Sequence, residues 1–245
     1  MGSVLRDHDR CARASNRSHV SACCPRGVRL RAIGAECGEF SYGRGGRGQA
    51  ASPKKDAGAA SAKRLNDYGL GLFEQGRPDE AIAILNRAVS LNPQSVLPHY
   101  NRGVVYLSLK RLQEAVADFS EAVRLDPTFA LGYMNRGSAL SYLGRLDEAL
   151  ADADTAVRLD PSYADAFFNR ALVRVKKGML PDAIDDYSRA IELNNRDVQS
   201  LAGRAAVWSK LGERDKAISD YRNVLQIDPQ NRDAARGLYE LHASP

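Results

Sequence analysis

Five alanines, Ala81, Ala115, Ala149, Ala183 and Ala217, recur at a constant spacing of 34 positions with no slippage. Around each, most of the same small and apolar residues return at the same offsets. A period of this length marks stacked supersecondary units, none of which can bury its apolar face alone. Such a stack presents an extended surface rather than an enclosed pocket for chemistry. The period therefore bounds both the fold and the kind of function.

Aligned on it, the chain holds five repeats, 62–95, 96–129, 130–163, 164–197 and 198–231, each numbered here in slots 1 to 34. Slot 8 is small throughout (Gly69, Gly103, Gly137, Ala171, Ala205), slot 20 is always Ala, and slot 27 is Ala until Val224. Slots 4, 11 and 24 are mostly large and apolar or aromatic. Spacings of three, four and seven mark one helix face, so each repeat reads as two amphipathic helices whose small residues let the backbones approach closely. Slot 15 is Gly in four repeats (Gly76, Gly144, Gly178, Gly212), which suits a left-handed cap between the helices. Acids such as Asp79-Glu80 and Asp147-Glu148 open the second helix, at the positive end of its dipole. Slot 32 is Pro in four repeats and Asn195 in the fourth, and ends that helix. Residues 232–245 follow as a C-terminal capping helix and end, with Leu238 and Leu241 on one face.

Slot 7 reads Tyr68, Arg102, Arg136, Arg170, Arg204, and slot 23 reads Ile84, Asp118, Asp152, Asp186, Asp220. Arg in one goes with Asp in the other, and Tyr with Ile. The covariation predicts an ion pair inside each of repeats two to five and an apolar contact in repeat one. The alternative is a row of arginines facing a ligand.

These residues resemble the tetratricopeptide repeat, whose pattern is aromatic-x-x-Leu-Gly-x-x-Tyr, then Ala-x-x-x-Phe-x-x-Ala, then Pro. The likeness runs through all five repeats, from 62 to 231, and departs locally: Arg for Leu at slot 7, Ala153 for the slot-24 aromatic, His99 at slot 4. It implies an all-α fold, a right-handed α-solenoid of helix-turn-helix repeats, whose first helices line a concave groove through slots 2, 5, 6, 9 and 12. At slot 6 stand Asn101, Asn135 and Asn169; at slot 5 beside them stand Tyr100, Met134 and Phe168. An amide carries donor and acceptor together, so a ladder of them suits the backbone of an extended peptide, with the apolar neighbours taking its side chains. The alternative is that Asn serves local helix packing. The ladder ends at Ala202-Gly203, so repeat five should offer a bare floor. A carboxylate clamp of the chaperone-binding kind is disfavoured: at its five slots this chain has Asn66, Leu70, Asn101, Leu131 and Asn135, of which only Asn101 fits.

The net charge of +5 is unevenly spread. Residues 1–60 hold 11 Lys/Arg against 5 Asp/Glu, and the remainder holds 24 against 25. A neutral array argues against nucleic acid as its partner, because phosphate binding needs clustered cations. No apolar run is long enough to span a bilayer. All four cysteines, Cys11, Cys23, Cys24 and Cys37, fall in the basic tail, and their spacing does not match a metal site. The tail is Arg-rich, contains Ser and is poor in acids, as an organellar transit peptide is. A disordered extension or a misjudged start codon are the alternatives, so the compartment is cytoplasm, plastid or mitochondrion. Arg44 to Gly48 resembles a fragment of an RNA-binding Arg/Gly box.

The array contains His99 and His242 but no nucleophile–base set, phosphate loop or metal-ligand spacing, so neither catalysis nor a cofactor is expected. The expected function is a protein-interaction scaffold or adaptor that binds a peptide segment of a partner and supports complex assembly. The second reading is RNA association through the Arg/Gly tail.

Overall fold

A computed structural model describes residues 53–243. Among the described residues there are eleven helices and no strand. The first helices of the repeats are α1 (Pro53–Glu74), α3 (Val96–Ser108), α5 (Ala130–Tyr142), α7 (Ala164–Lys176) and α9 (Val198–Lys210). The second are α2 (Pro78–Leu91), α4 (Leu112–Leu125), α6 (Leu146–Leu159), α8 (Leu180–Leu193) and α10 (Arg214–Ile227), and α11 (Arg232–Ala243) follows them. Every second helix starts at slot 17 and ends at slot 30. Helix α1 begins at Pro53, so it takes in residues that the sequence assigned to the tail. The chain forms two compact units, one ending at Asn135 and the other beginning at Arg136.

The five period alanines are completely buried, at 0% exposure each. They sit where the two helices of a repeat cross, and slot 8 meets them there. A Cβ on Gly69 would lie 2.8 Å from Leu85, and one on Gly103 would lie 2.8 Å from the Phe119 ring. The larger apolar residues gather around that crossing: Leu72, Ile82 and Leu85 in repeat one, Phe167, Phe168, Ile184 and Tyr187 in repeat four, Leu201, Tyr221 and Val224 in repeat five. Leu238 and Leu241 of α11 pack onto this last cluster, as a capping helix requires.

The turns follow local chemistry. Gly76, Gly144, Gly178 and Gly212 take φ between 74° and 79°, as expected for a left-handed cap, and Lys110 is held at φ 60° in the repeat that lacks the glycine. After the second helix an Asx turn forms, in which the slot-31 side chain accepts from the slot-33 N–H: Asp126 from Thr128, Asp160 from Ser162, Asn194 from Arg196, Asp228 from Gln230. That turn explains why α8 ends at Leu193 although Asn195 replaces the proline.

Candidate functional site

The first helices position the residues that the sequence singled out, and their side chains are sunk between helices rather than displayed. Tyr100, Asn101, Met134 and Asn135 lie in the first unit, Phe168 and Asn169 in the second, and none exposes more than 5% of its surface. The two units differ in how the amides are used. Asn101 Nδ2 donates to Asn66 Oδ1 at 2.9 Å, and Asn135 Nδ2 donates to the Tyr100 hydroxyl at 2.9 Å. Both bonds run from slot 6 to slot 5 of the preceding repeat and tie neighbouring first helices together. Asn135 Oδ1 is buried without a partner, as are both Oδ1 and Nδ2 of Asn169. Tyr100 also packs edge-on to Phe129, with ring centroids 4.9 Å apart. Phe168 tilts against Tyr187 at 6.0 Å.

The floor expected to be bare at Gly203 is filled from beneath. A Cβ there would lie 2.7 Å from Tyr187 Cζ and 2.9 Å from its hydroxyl oxygen. Gly237 stands in the same relation to Tyr221, at 2.5 Å from Cζ. Glycine thus occupies slot 6 where the preceding slot 24 is Tyr, and Asn occupies it where that slot is Leu, Phe or Ala. Burial, with Asp186 nearby, holds the Tyr187 phenol above its ordinary range.

All four expected Arg–Asp pairs form within their repeats. Arg102 holds Asp118 through Nε at 2.7 Å and Nη2 at 2.6 Å. Arg136 holds Asp152 at 2.8 and 2.7 Å, and Arg204 holds Asp220 at 2.8 Å through both nitrogens. Arg170 Nη2 reaches Asp186 at 2.6 Å, and that carboxylate also accepts from Arg174 Nη1 at 2.7 Å. The hydrogen bond to Asp118 holds the Arg102 guanidinium above its usual range. The arginines therefore bind this chain rather than face a ligand.

The covariation missed a further bond. The Nη1 atoms of Arg102, Arg170 and Arg204 donate to slot 25 of the repeat before, at Asn86, Asp154 and Ser188, over 2.6, 2.9 and 2.9 Å. Slot 25 carries three different short polar residues, so no single residue type marked it. Each of these arginines closes its own repeat and clamps it to its predecessor.

No group of three or more His, Cys, Asp or Glu able to hold a metal ion is present among the described residues. Buried His99 has Nε2 3.0 Å from Pro93 O and Nδ1 3.7 Å from the Asp118 carboxylate, with no nucleophile beside it among these contacts. No helix among the described residues is long and apolar enough to cross a membrane. The Arg/Gly stretch, the transit-peptide reading of the tail, and Cys11, Cys23, Cys24 and Cys37 lie outside the described residues.

Two family models, both described as tetratricopeptide repeat, match the chain, one over residues 67–128 and 134–198 and the other over 201–231. No curated protein matches the sequence. Among solved structures, a tetratricopeptide repeat protein of Thermus thermophilus, TTC0263, is similar with TM-score 0.61 and 24% identity, over 74% of this chain and 98% of that one. Pseudomonas aeruginosa PilF gives TM-score 0.68 and 22% identity, over 76% and 84%. YrrB, described as a repeat protein with an unusual peptide-binding site, gives 0.60 and 20%, over 76% and 98%. At these identities the likeness establishes the fold, an all-α solenoid of helix pairs.

Proposed function

The chain belongs to the tetratricopeptide repeat family, whose members are protein-interaction scaffolds, and we propose that this one holds an extended peptide segment of a protein partner along its first helices, aiding assembly of a complex. One observation carries the reading. The unsatisfied buried side-chain amide groups among the described residues, Asn135 Oδ1 and Asn169 Oδ1 and Nδ2, all fall in slot 6 of first helices. A buried amide without a partner costs about 1–3 kcal/mol, and an extended backbone supplies the donors and acceptors that remove this cost. In the first unit Asn135 has Met134 as its chain neighbour and Tyr100 as its hydrogen-bond partner, and in the second Asn169 has Phe168 beside it in the chain, so each amide stands next to large, largely apolar side chains. YrrB, a similar protein, is described as having a peptide-binding site, which agrees in kind.

A few hydrogen bonds at about 0.5–1.5 kcal/mol each, with burial of two or three side chains, give affinity in the micromolar range. Full-length protein panned against a random-peptide phage library should enrich peptides that bind with saturation in that range. A photo-crosslinker placed in an enriched peptide should label α3, α5 or α7. Labels confined to α4, α6 and α8 would overturn the reading.

A further inference from the structure

Burial is deepest where the packing of helix pairs does not require it. A helix turns about 100° per residue, so slot 9 points away from the second helix that slot 8 meets. Repeat one has no helix pair before it among the described residues, and its first helix packs against α2 and α3. Leu70 at its slot 9 is nevertheless 4% exposed, although Tyr68 two residues away is 56% exposed. Val104, at the same slot of repeat two, is 1% exposed. In the second unit the slot opens along the chain, from buried Ser138 through partly buried Leu172 to exposed Ala206. Ala206 lies on α9, which packs against α8, α10 and α11, so flanking helices do not by themselves close this slot. The sealing of Leu70 and Val104 therefore needs a cover beyond them.

We propose that residues 28–32 of this same chain, Val28-Arg29-Leu30-Arg31-Ala32, supply that cover by lying extended over slot 9, so that the protein occupies its own first helices until a partner displaces the segment. The inference rests on the peptide-binding reading. The described residues begin at Pro53, where α1 starts, and 52 residues of chain precede it. Residues 28–32 lie outside the described residues, and their sequence alternates apolar with Arg over five positions. A period of two is that of an extended segment with one apolar side. Val28, Leu30 and Ala32 then face the slot-9 side chains, and both guanidinium groups face water. Twenty residues, 33–52, join the segment to α1. Extended, they reach about 65 Å, roughly twice the length of α1, so no point along that helix is out of range. The segment is also the kind of ligand that the proposed function assigns to the first helices, and its tether makes it the first to arrive.

Full-length protein with a diazirine amino acid in place of Leu70 should, on irradiation, cross-link that position to residues 28–32 of the same chain, read by peptide mass spectrometry. The same amino acid in place of exposed Ala206 should not reach them. Links from position 70 to other parts of the tail alone, no link to the tail, or links between isotopically light and heavy chains each overturn the inference. A segment that binds by itself at about 0.1 mM, held at an effective concentration of about 1 mM, weakens a competing peptide about tenfold. Val28→Asp with Leu30→Asp should therefore bind a phage-selected peptide about tenfold tighter than the parent. Val4→Asp with Leu5→Asp, the same change elsewhere in the tail, should bind it as the parent does. Equal affinity in the parent and the Val28/Leu30 variant, or an equal gain from the Val4/Leu5 variant, overturns the inference and leaves the peptide-binding reading standing. Panning of the Val28/Leu30 variant that enriches nothing overturns the peptide-binding reading, whereas the cross-link from position 70 tests the cover by itself.

Discussion

The Arg204–Asp220 pair offers the sharpest test of how the repeats are held, because its two halves differ in burial. The Asp220 side chain is 6% exposed and that of Arg204 is 22% exposed. Arg204→Leu keeps the apolar stem of the side chain and strands a buried carboxylate, which should cost about 4 kcal/mol. Asp220→Ile strands a guanidinium that can still swing toward water and keep its bond to Ser188 Oγ at 2.9 Å. That loss should be smaller, about 2 kcal/mol. The double variant, Arg204→Leu with Asp220→Ile, removes both charges and leaves two uncharged side chains at slots 7 and 23, as Tyr68 and Ile84 are in repeat one. It should return to within about 1 kcal/mol of the parent. The coupling between the two sites is then about 5 kcal/mol, well above the roughly 0–1 kcal/mol of an exposed pair. Trp208, the one tryptophan of the chain, packs beside the repeat-five core and reports urea unfolding by fluorescence. Single losses that simply add in the double variant would refute the claim that burial, rather than separate packing at each residue, makes the pair matter.

Three further perturbations probe the turns and slots. Lys110→Gly should raise stability by about 1 kcal/mol in urea unfolding, because it relieves a left-handed residue at φ 60°; no gain would mean that the lysine side chain compensates. Gly203→Ala should cost about 1–3 kcal/mol, since its Cβ meets the Tyr187 ring at 2.7 Å. Gly203→Asn combined with Tyr187→Leu copies the Leu85/Asn101 combination and should recover most of that loss by the same measurement. Glu213 and Lys216 pair at 3.2 Å with polarity opposite to Arg77–Glu80, Arg111–Glu114 and Arg145–Glu148. Lys216→Glu alone should lower thermal stability by only a few tenths of a kcal/mol, an effect that salt removes, because both groups are about half exposed.

What the sequence made legible was whatever each repeat must solve in the same way. A helix crossing at zero exposure admits only Ala at slot 20, so the period, the helix pairs and the glycine caps are legible in the chain alone. The Arg–Asp pairs were legible because both partners change together at repeat one. Slot 25 was not, because Asn86, Asp154 and Ser188 do one job with three chemistries, and a guanidinium accepts any short oxygen-bearing side chain as partner. The depth of the amides was equally hidden: spacing assigns a residue to a helix face but does not say how far its neighbours rise around it.

The arginine clamp also explains why repeat one departs from the others. In repeats two, four and five the slot-7 guanidinium commits one arm to its own Asp and another to the helix pair before it. No helix pair precedes repeat one among the described residues. A half-satisfied cation beside a buried aspartate would be worse than an apolar contact. Repeat one carries no charge at either slot, with Tyr68 and Ile84 there, and Tyr68 is 56% exposed. At α11 the slot-7 position is Leu238, and slot 25 before it is Arg222, which could not accept from a guanidinium. At its C-terminal end the series thus drops the arginine at the point where the second acceptor disappears. The ion pairs therefore serve the joint between repeats as much as the repeat itself. Losing slot 25 at Ser188 should loosen repeat five from repeat four without unfolding either, seen as faster amide exchange confined to α9 through α11. Exchange that accelerates equally in α7 and α8 would return the arginines to a role within single repeats.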